Sequence, residues 1–166
     1  MFVLRTAVLI AATMTTGLVA GVCGLYQHTI MRGLARTDDR TFVSAFQAID
    51  RAIMNAWFMI GFMGALVFTG LATVLHLAQD VRSVLPWLIV AFALYLVTFG
   101  LTMAVNVPLN EAIKAAGDPA GIADLGEVRH EFNEAKWTAY NLVRTITTAV
   151  AFGVLCWALV ISGSAD

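Results

Sequence analysis

Long apolar runs separated by short charged stretches set the pattern of this chain. Four of them, about Leu4 to Met31, Ile53 to Leu77, Val84 to Val105 and Leu142 to Ile161, are long enough to cross a bilayer, which takes roughly 20 mostly apolar residues as a helix. Lipid offers no partner to exposed backbone polar groups, so the runs predict helices. The first run is read as a span and not as a cleaved leader. It carries one early charge, Arg5, and then runs well past the ~7–15 apolar residues of a signal peptide. Val22 before Cys23 is also a poor lipoprotein cleavage position.

The polar stretches carry helical patterns of their own. Between the first two spans, Phe42, Phe46, Ile49 and Ile53 recur at helical spacing. Thr37 is the expected N-cap, and Asp38 and Asp39 suit the positive helix start. Asp39, Ser44, Gln47, Asp50 and Arg51 fall to the other side, so this helix is expected to lie on the bilayer surface and run into the second span. Between the last two spans, Asn110 to Ala116 predicts a short helix ended by Gly117. Asp124 and Glu127 form a capping pair opening another, with Leu125, Val128 and Phe132 as its apolar edge.

Composition fits this reading. Hydrophobic residues make up 60% of the 166 and charged residues 13%, against about 25% charged in soluble domains. Mean hydropathy is +0.81. The chain is expected to be one integral membrane domain over 1–166, an all-α four-helix transmembrane bundle with cytoplasmic interfacial helices between spans 1–2 and 3–4. A net charge of −1 gives no basic surface for nucleic acid. Arg32, Arg36, Arg40 and Arg51 lie in the first long loop, and Lys114, Arg129 and Lys136 in the second, with Arg144 just inside the last span. The other side offers Arg5 and Arg82. Positive charge favours the cytoplasm, so both long loops are placed there and both termini outside. Length and orientation suit a bacterial inner membrane.

Cys23 and Cys156 lie in separate spans without a Cys-x-x-Cys, which removes the thiol relay of a membrane disulfide or quinone oxidoreductase. Gly17/Gly21, with Gly24 one turn on, Gly61/Ala65 and Ala149/Gly153 repeat a small-xxx-small spacing. It serves either close packing within the bundle or a face for a second copy of the chain.

The candidate chemistry collects at the ends of spans 3 and 4. Asn106-Val107-Pro108-Leu109-Asn110-Glu111 follows one, and Trp137-Thr138-Ala139-Tyr140-Asn141-Leu142-Val143-Arg144 precedes the other. Trp137, Asn141 and Arg144 are spaced by four and then three, so they share a helix face bordered by Tyr140. An aromatic belt explains the rings but not an amide and a guanidinium beside them. A guanidinium holds an anionic oxygen or an enolate. Pro108 leaves the carbonyl of Ala104 without its donor. Asn106 and Asn110 either satisfy groups freed at that break or line a polar cavity with Arg144. His28, near the cytoplasmic end of span 1, is a candidate base because it titrates near neutral pH. His76 falls at the opposite surface, which argues against paired-histidine haem ligation. Glu127-x-x-His130 has half of a di-iron spacing and no second half, so no metal is expected. Asp50 neighbours Arg51, and meets Arg144 if the cytoplasmic ends converge.

Met31-Arg32-Gly33-Leu34, Asp38-Asp39-Arg40-Thr41-Phe42-Val43, Phe46-Gln47-Ala48-Ile49-Asp50-Arg51, Asn106-Val107-Pro108-Leu109-Asn110 and Trp137-x-x-x-Asn141-x-x-Arg144 together resemble the anthrone-oxygenase-like family of small membrane proteins. The resemblance covers nearly the whole chain in order. It implies a four-helix membrane bundle. Some fungal members are linked to oxidation of polyketide anthrones to anthraquinones with molecular oxygen, without metal or flavin. Members often have Pro where this chain has Arg32, and Asn where it has Asp50. On that implication no cofactor is needed, and the partners are membrane lipid and a lipophilic aromatic substrate. His28 or Asp50 would be the base, Arg144 with Asn141 and Asn106 would hold the enolate oxygen, and Trp137 and Tyr140 would stack on the ring. Asn110 completes the binding set. The alternative is a non-catalytic membrane scaffold or accessory subunit, or a carrier of a lipophilic small molecule.

Overall fold

A helix satisfies its backbone internally, and a chain with this much apolar surface must present most of it to lipid. The computed structural model, which describes residues 1–77 and 83–164, follows both demands. Its elements are α1 (Phe2–Leu34), α2 (Asp39–Ile53), α3 (Ala56–Leu75), α4 (Leu85–Ala115), α5 (Leu125–Phe132) and α6 (Glu134–Ser164), with no strand among the described residues. Four helices, α1, α3, α4 and the stretch containing α6, are long and apolar enough to cross a membrane. Only 22–39% of the most apolar window of each is buried inside the bundle, which leaves a large apolar surface to face lipid. The chain is an integral membrane protein. Arg82, used above for orientation, lies outside the described residues.

Around the bundle, α1 packs against α3 and α6, and α4 packs against the same two helices. The start of α1, the end of α3 and the start of α4 share one end, where Arg5 Nε donates to the Leu75 carbonyl at 2.9 Å. Small residues bring the helices close. A methyl group on Gly64 would lie 3.2 Å from Thr15, one on Gly70 3.2 Å from Phe92, and one on Gly17 2.8 Å from the Phe152 ring. Gly17 thus serves packing within the chain, whereas Gly21, Ala149 and Gly153 stand on the exposed surface. Several hydroxyls are satisfied along their own helices, as in Thr15 to Ala11 at 2.7 Å and Thr148 to Arg144 at 2.6 Å, whereas the buried Thr16 hydroxyl has no partner. Tyr95 instead crosses from α4 to α3 and donates to the Phe62 carbonyl at 2.7 Å.

Two helices are widened by a π turn, at Tyr26–Ile30 in α1 and Thr102–Asn106 in α4. In each the closing bond runs five residues back, Met31 N–H to Tyr26 O and Val107 N–H to Thr102 O. Such turns insert a residue into the helical register and re-aim the side chains beyond it. The π turn in α4 directly precedes Pro108, so the helix continues through the proline to Ala115 where the sequence predicted a break.

The peripheral helices close the other end. Asp124 caps α5 as expected, accepting from Glu127 N–H at 2.9 Å. α2 departs from expectation in three ways. Its N-cap is Asp38, which accepts from Thr41 N–H at 2.9 Å, whereas Thr37 turns back to the Leu34 carbonyl. Thr41 holds the Asp38 carboxyl below its usual range, first through its backbone N–H and then its hydroxyl. The cap is accordingly complete above about pH 4 and lost as pH falls through the lowered value. α2 also does not run into the second span: the chain turns at Met54, and Asn55 starts α3 by accepting from Phe58 N–H at 3.1 Å. Finally, Gln47 and Asp50 are buried, not turned to solvent. The apolar edge of α2 packs on protein: Phe42 and Phe46 meet Phe132 of α5, with ring centroids 5.7 and 4.5 Å apart.

Tyr95→Phe keeps the ring and removes the α3–α4 bond. It should lower stability by about 1 kcal/mol in detergent titration of the purified protein. An unchanged midpoint would show that the Phe62 carbonyl finds another donor.

Candidate functional site

The site is built where the inner polar edge of α2 meets the ends of α4 and α6. Gln47 Nε2 donates to the carbonyls of Ile113 and Gly117 at 2.7 and 3.1 Å, satisfying the C-terminal turn of α4. Gly117 itself sits at φ +90°, where a side chain would be strained. Arg51 supports Gln47 through its Oε1 at 3.0 Å, so the neighbours Asp50 and Arg51 do not pair with each other. Asp50 reaches α4 instead. Its Oδ2 faces Lys114 Nζ at 2.8 Å, and its Oδ1 accepts from Asn110 Nδ2 at 2.6 Å. Lys114 also pairs with exposed Glu111 at 2.7 Å.

Asn110 completes its amide toward α6, where its Oδ1 accepts from Trp137 Nε1 at 2.7 Å. One turn earlier, Asn106 Nδ2 donates to the Trp137 carbonyl at 3.3 Å. Neither asparagine is spent on a carbonyl freed by Pro108. On α6 the inward face holds Trp137, Asn141 and Arg144, with 3%, 1% and 8% exposure, which makes the predicted face the buried one. Asn141 Nδ2 donates to the Cys23 carbonyl at 3.1 Å and to Gln27 Oε1 at 3.0 Å. These bonds clamp α6 to α1 one turn from Arg144.

These groups border a cavity of about 110 Å³. Its walls are Val22, Cys23 and Tyr26 from α1 and Phe58, Met59 and Phe62 from α3. Its polar lining is Asp50, Asn106, Asn110, Asn141 and Arg144. Arg144 Nε and Asn106 Oδ1 are buried without a hydrogen-bond partner. Two residues that line one cavity thus each carry a buried polar atom without a partner, and because unpaired polar groups in an apolar interior are costly the place is a candidate ligand site.

Of the residues singled out from sequence, Asp50, Asn106, Asn110, Trp137, Asn141 and Arg144 line this cavity. His28 and Tyr140 are exposed and do not. His28 turns outward, with Nδ1 2.7 Å from Thr29 Oγ1. His76 is buried at the far end, its Nδ1 2.8 Å from the Ala72 carbonyl. No cluster of three or more His, Cys, Asp or Glu among the described residues is placed to hold a metal, His130 with Glu127 included. Sequence reasoning missed Tyr26, Phe58, Phe62 and Lys114. The rings lie among many apolar residues of like kind, and Lys114 read as a loop charge.

An α-helical membrane bundle with an apolar cavity, polar at the end that α2 covers, is the class of protein this geometry defines. The family model for anthrone oxygenase matches residues 54–154, more than half of the chain, and the chain belongs to that family. The matched stretch runs from the turn before α3 well into α6 and contains Asn106, Asn110, Trp137, Asn141 and Arg144. No curated protein and no solved structure matches the chain.

Lys114→Met strips the cation from a buried carboxylate. It should destabilise the protein by about 2 kcal/mol, below the cost for a fully buried pair because Lys114 is 19% exposed. Adding Asp50→Asn should recover most of the loss, since an amide still accepts from Asn110. Equal melting of wild type and Lys114→Met would contradict the ion pair's role.

Proposed function

We propose that this cavity oxidises a lipophilic aromatic substrate of the anthrone type with molecular oxygen. The observation that carries the reading is the buried, unpartnered Nε of Arg144 at the polar tip of an otherwise apolar cavity. Family membership supports it. An anthrone has an acidic carbon between two aryl rings. Loss of one proton gives a carbanion whose charge spreads to the carbonyl oxygen as an enolate. A fixed guanidinium stabilises that oxyanion most where charge develops.

In this reading Asp50 takes the proton and Arg144 Nε holds the oxygen. The enolate reduces oxygen and binds it as a peroxide at the former methylene carbon. The proton returns from Asp50 to the peroxide, and the remaining carbon–hydrogen bond and the oxygen–oxygen bond break together. One anthrone and one oxygen molecule thus give one quinone and one water. Asn106 Oδ1 accepts from a substrate hydroxyl. Asn141, whose Nδ2 is committed to α1, positions Arg144, and Tyr26, Phe58 and Phe62 supply the ring contacts that Tyr140 does not reach. A three-ring substrate exceeds the resting cavity and requires its methionine-lined side to open, which the three torsions of methionine permit.

Oxygen uptake by the purified protein with an anthrone, measured above the spontaneous rate, tests the assignment. Arg144→Ala should lower the catalysed rate by about 10²–10³-fold, and Asp50→Asn by at least about 10²-fold, with the helical circular dichroism intact. Wild-type uptake preserved in Arg144→Ala would refute the site, and an unaccelerated wild type that retains ligand would favour a carrier. We also place the cavity at the cytoplasmic side of a bacterial inner membrane, on the arginine-rich α1–α2 connection. A phosphatase fused after Asp166 should then be active outside the cell, and an inactive fusion would reverse the orientation.

A further inference from the structure

A lipophilic substrate has to reach the cavity, and the burial of the walls says from where. On the side that α2 covers, Phe46, Asp50, Ile113 and Trp137 are all buried, and Gln47 fastens α2 to the end of α4. Toward the termini, Val19, Phe62, Ala65 and Tyr95 pack together and are buried as well. Among the described residues that line the cavity, the exposed ones are Met54 and Met103, at 59% and 45%. They stand at the approach to α3 and in the π turn of α4, so the opening lies sideways between those two helices. Trp57 and Ile60, beside it on α3, are apolar and exposed, which is a surface for lipid and not for water.

Both methionines sit where the backbone is irregular. Met54 follows α2 with φ −75° and ψ 47°, outside the helical region. Met103 lies inside the wide turn that Val107 N–H closes on the Thr102 carbonyl. A helical side chain leans back over the preceding turn, and there Gly100 leaves open space: a methyl group on it would meet nothing within 4 Å. The three torsions of methionine let it swing into such space. Resting on the reading that this cavity oxidises a three-ring aromatic, we propose that Met54 and Met103 form a gate through which the substrate enters from the bilayer, and that their swing sets how wide a ring system is admitted. The substrate thus passes from hydrocarbon to the Arg144 end without crossing water.

A gate changes the rates of entry and exit together and leaves affinity alone, which separates it from a binding contact. Trp137 lines the cavity, and quinones quench indole fluorescence. With Trp57, Trp87 and Trp157 replaced by Phe, stopped-flow quenching by anthraquinone, a product-shaped probe, is followed in lipid nanodiscs. Met54→Ile combined with Met103→Ile keeps apolar bulk but stiffens both side chains. Association and dissociation should each slow about tenfold, the order expected when two branched side chains must leave their rotamers together, with Kd unchanged. Met54→Ala combined with Met103→Ala should speed both rates. Unchanged rates in the isoleucine variant, or a weaker Kd carried by dissociation alone, overturns the gate. Anthrone-dependent oxygen uptake is read on the same preparations. Uptake that persists while the isoleucine variant keeps wild-type rates leaves the oxidation standing and removes only the gate. No saturable quenching in the wild type also overturns the gate, and the oxidation falls with it only if uptake is absent.

Discussion

Asn110 uses both ends of one amide to join three elements. Its nitrogen donates to Asp50 on α2 at 2.6 Å, and its oxygen accepts from Trp137 on α6 at 2.7 Å. It stands on α4, just past a helix widened by a π turn and continued through Pro108. Asp50 and Trp137 are buried and Asn110 is half-buried, so these polar groups need protein partners. Once Asn110 is fixed, Asp50 is turned inward and Lys114 is drawn over it. Trp137 is set edge-on to Phe46, with ring centroids 5.9 Å apart. The polar tip of the cavity follows from that junction.

The rest of the bundle supplies the opposite quality. Toward the termini the core is aliphatic and small, with Leu9, Ala12, Leu88, Ala91, Ala151 and Leu155 buried together. Small residues let those helices approach closely. Toward the opposite end the core becomes aromatic, and α2 and α5 cover it. Arg129 ties that cover down: it donates to the Thr37 carbonyl and to Asp39 at 3.0 Å each, and lies 4.3 Å over the Phe42 ring. The cavity lies between these regions, apolar on its walls and polar at one end. That division suits a substrate that dissolves in lipid and reacts through one or two oxygens.

Much of this was legible in the chain. The spans follow from run length, and the amphipathic spacing of Phe42, Phe46 and Phe132 announced α2 and α5. The four-then-three spacing of Trp137, Asn141 and Arg144 foretold a shared face, because α6 is regular there. Where regularity fails, the reading fails with it. The π turn at Tyr26–Ile30 shifts the phase of α1, which leaves Tyr26 on the cavity and His28 on the surface. Gln47 and Asp50 looked like an outer polar edge because their partners, Ile113 O, Gly117 O, Asn110 and Lys114, lie sixty or more residues away. Local pattern carries no information about such pairings. Thr37 and Asp38 are both competent caps, and only the path of the chain out of α1 chooses between them.

The oxidation proposed for the Arg144 cavity places one atom of molecular oxygen on the substrate carbon. The most direct test supplies ¹⁸O₂ with an anthrone and follows, by mass spectrometry, quinone carrying one labelled oxygen. Wild-type protein should form this product well above the spontaneous rate, with labelled water as co-product and no accumulating peroxide. Formation at the spontaneous rate, or a quinone without label, would contradict it.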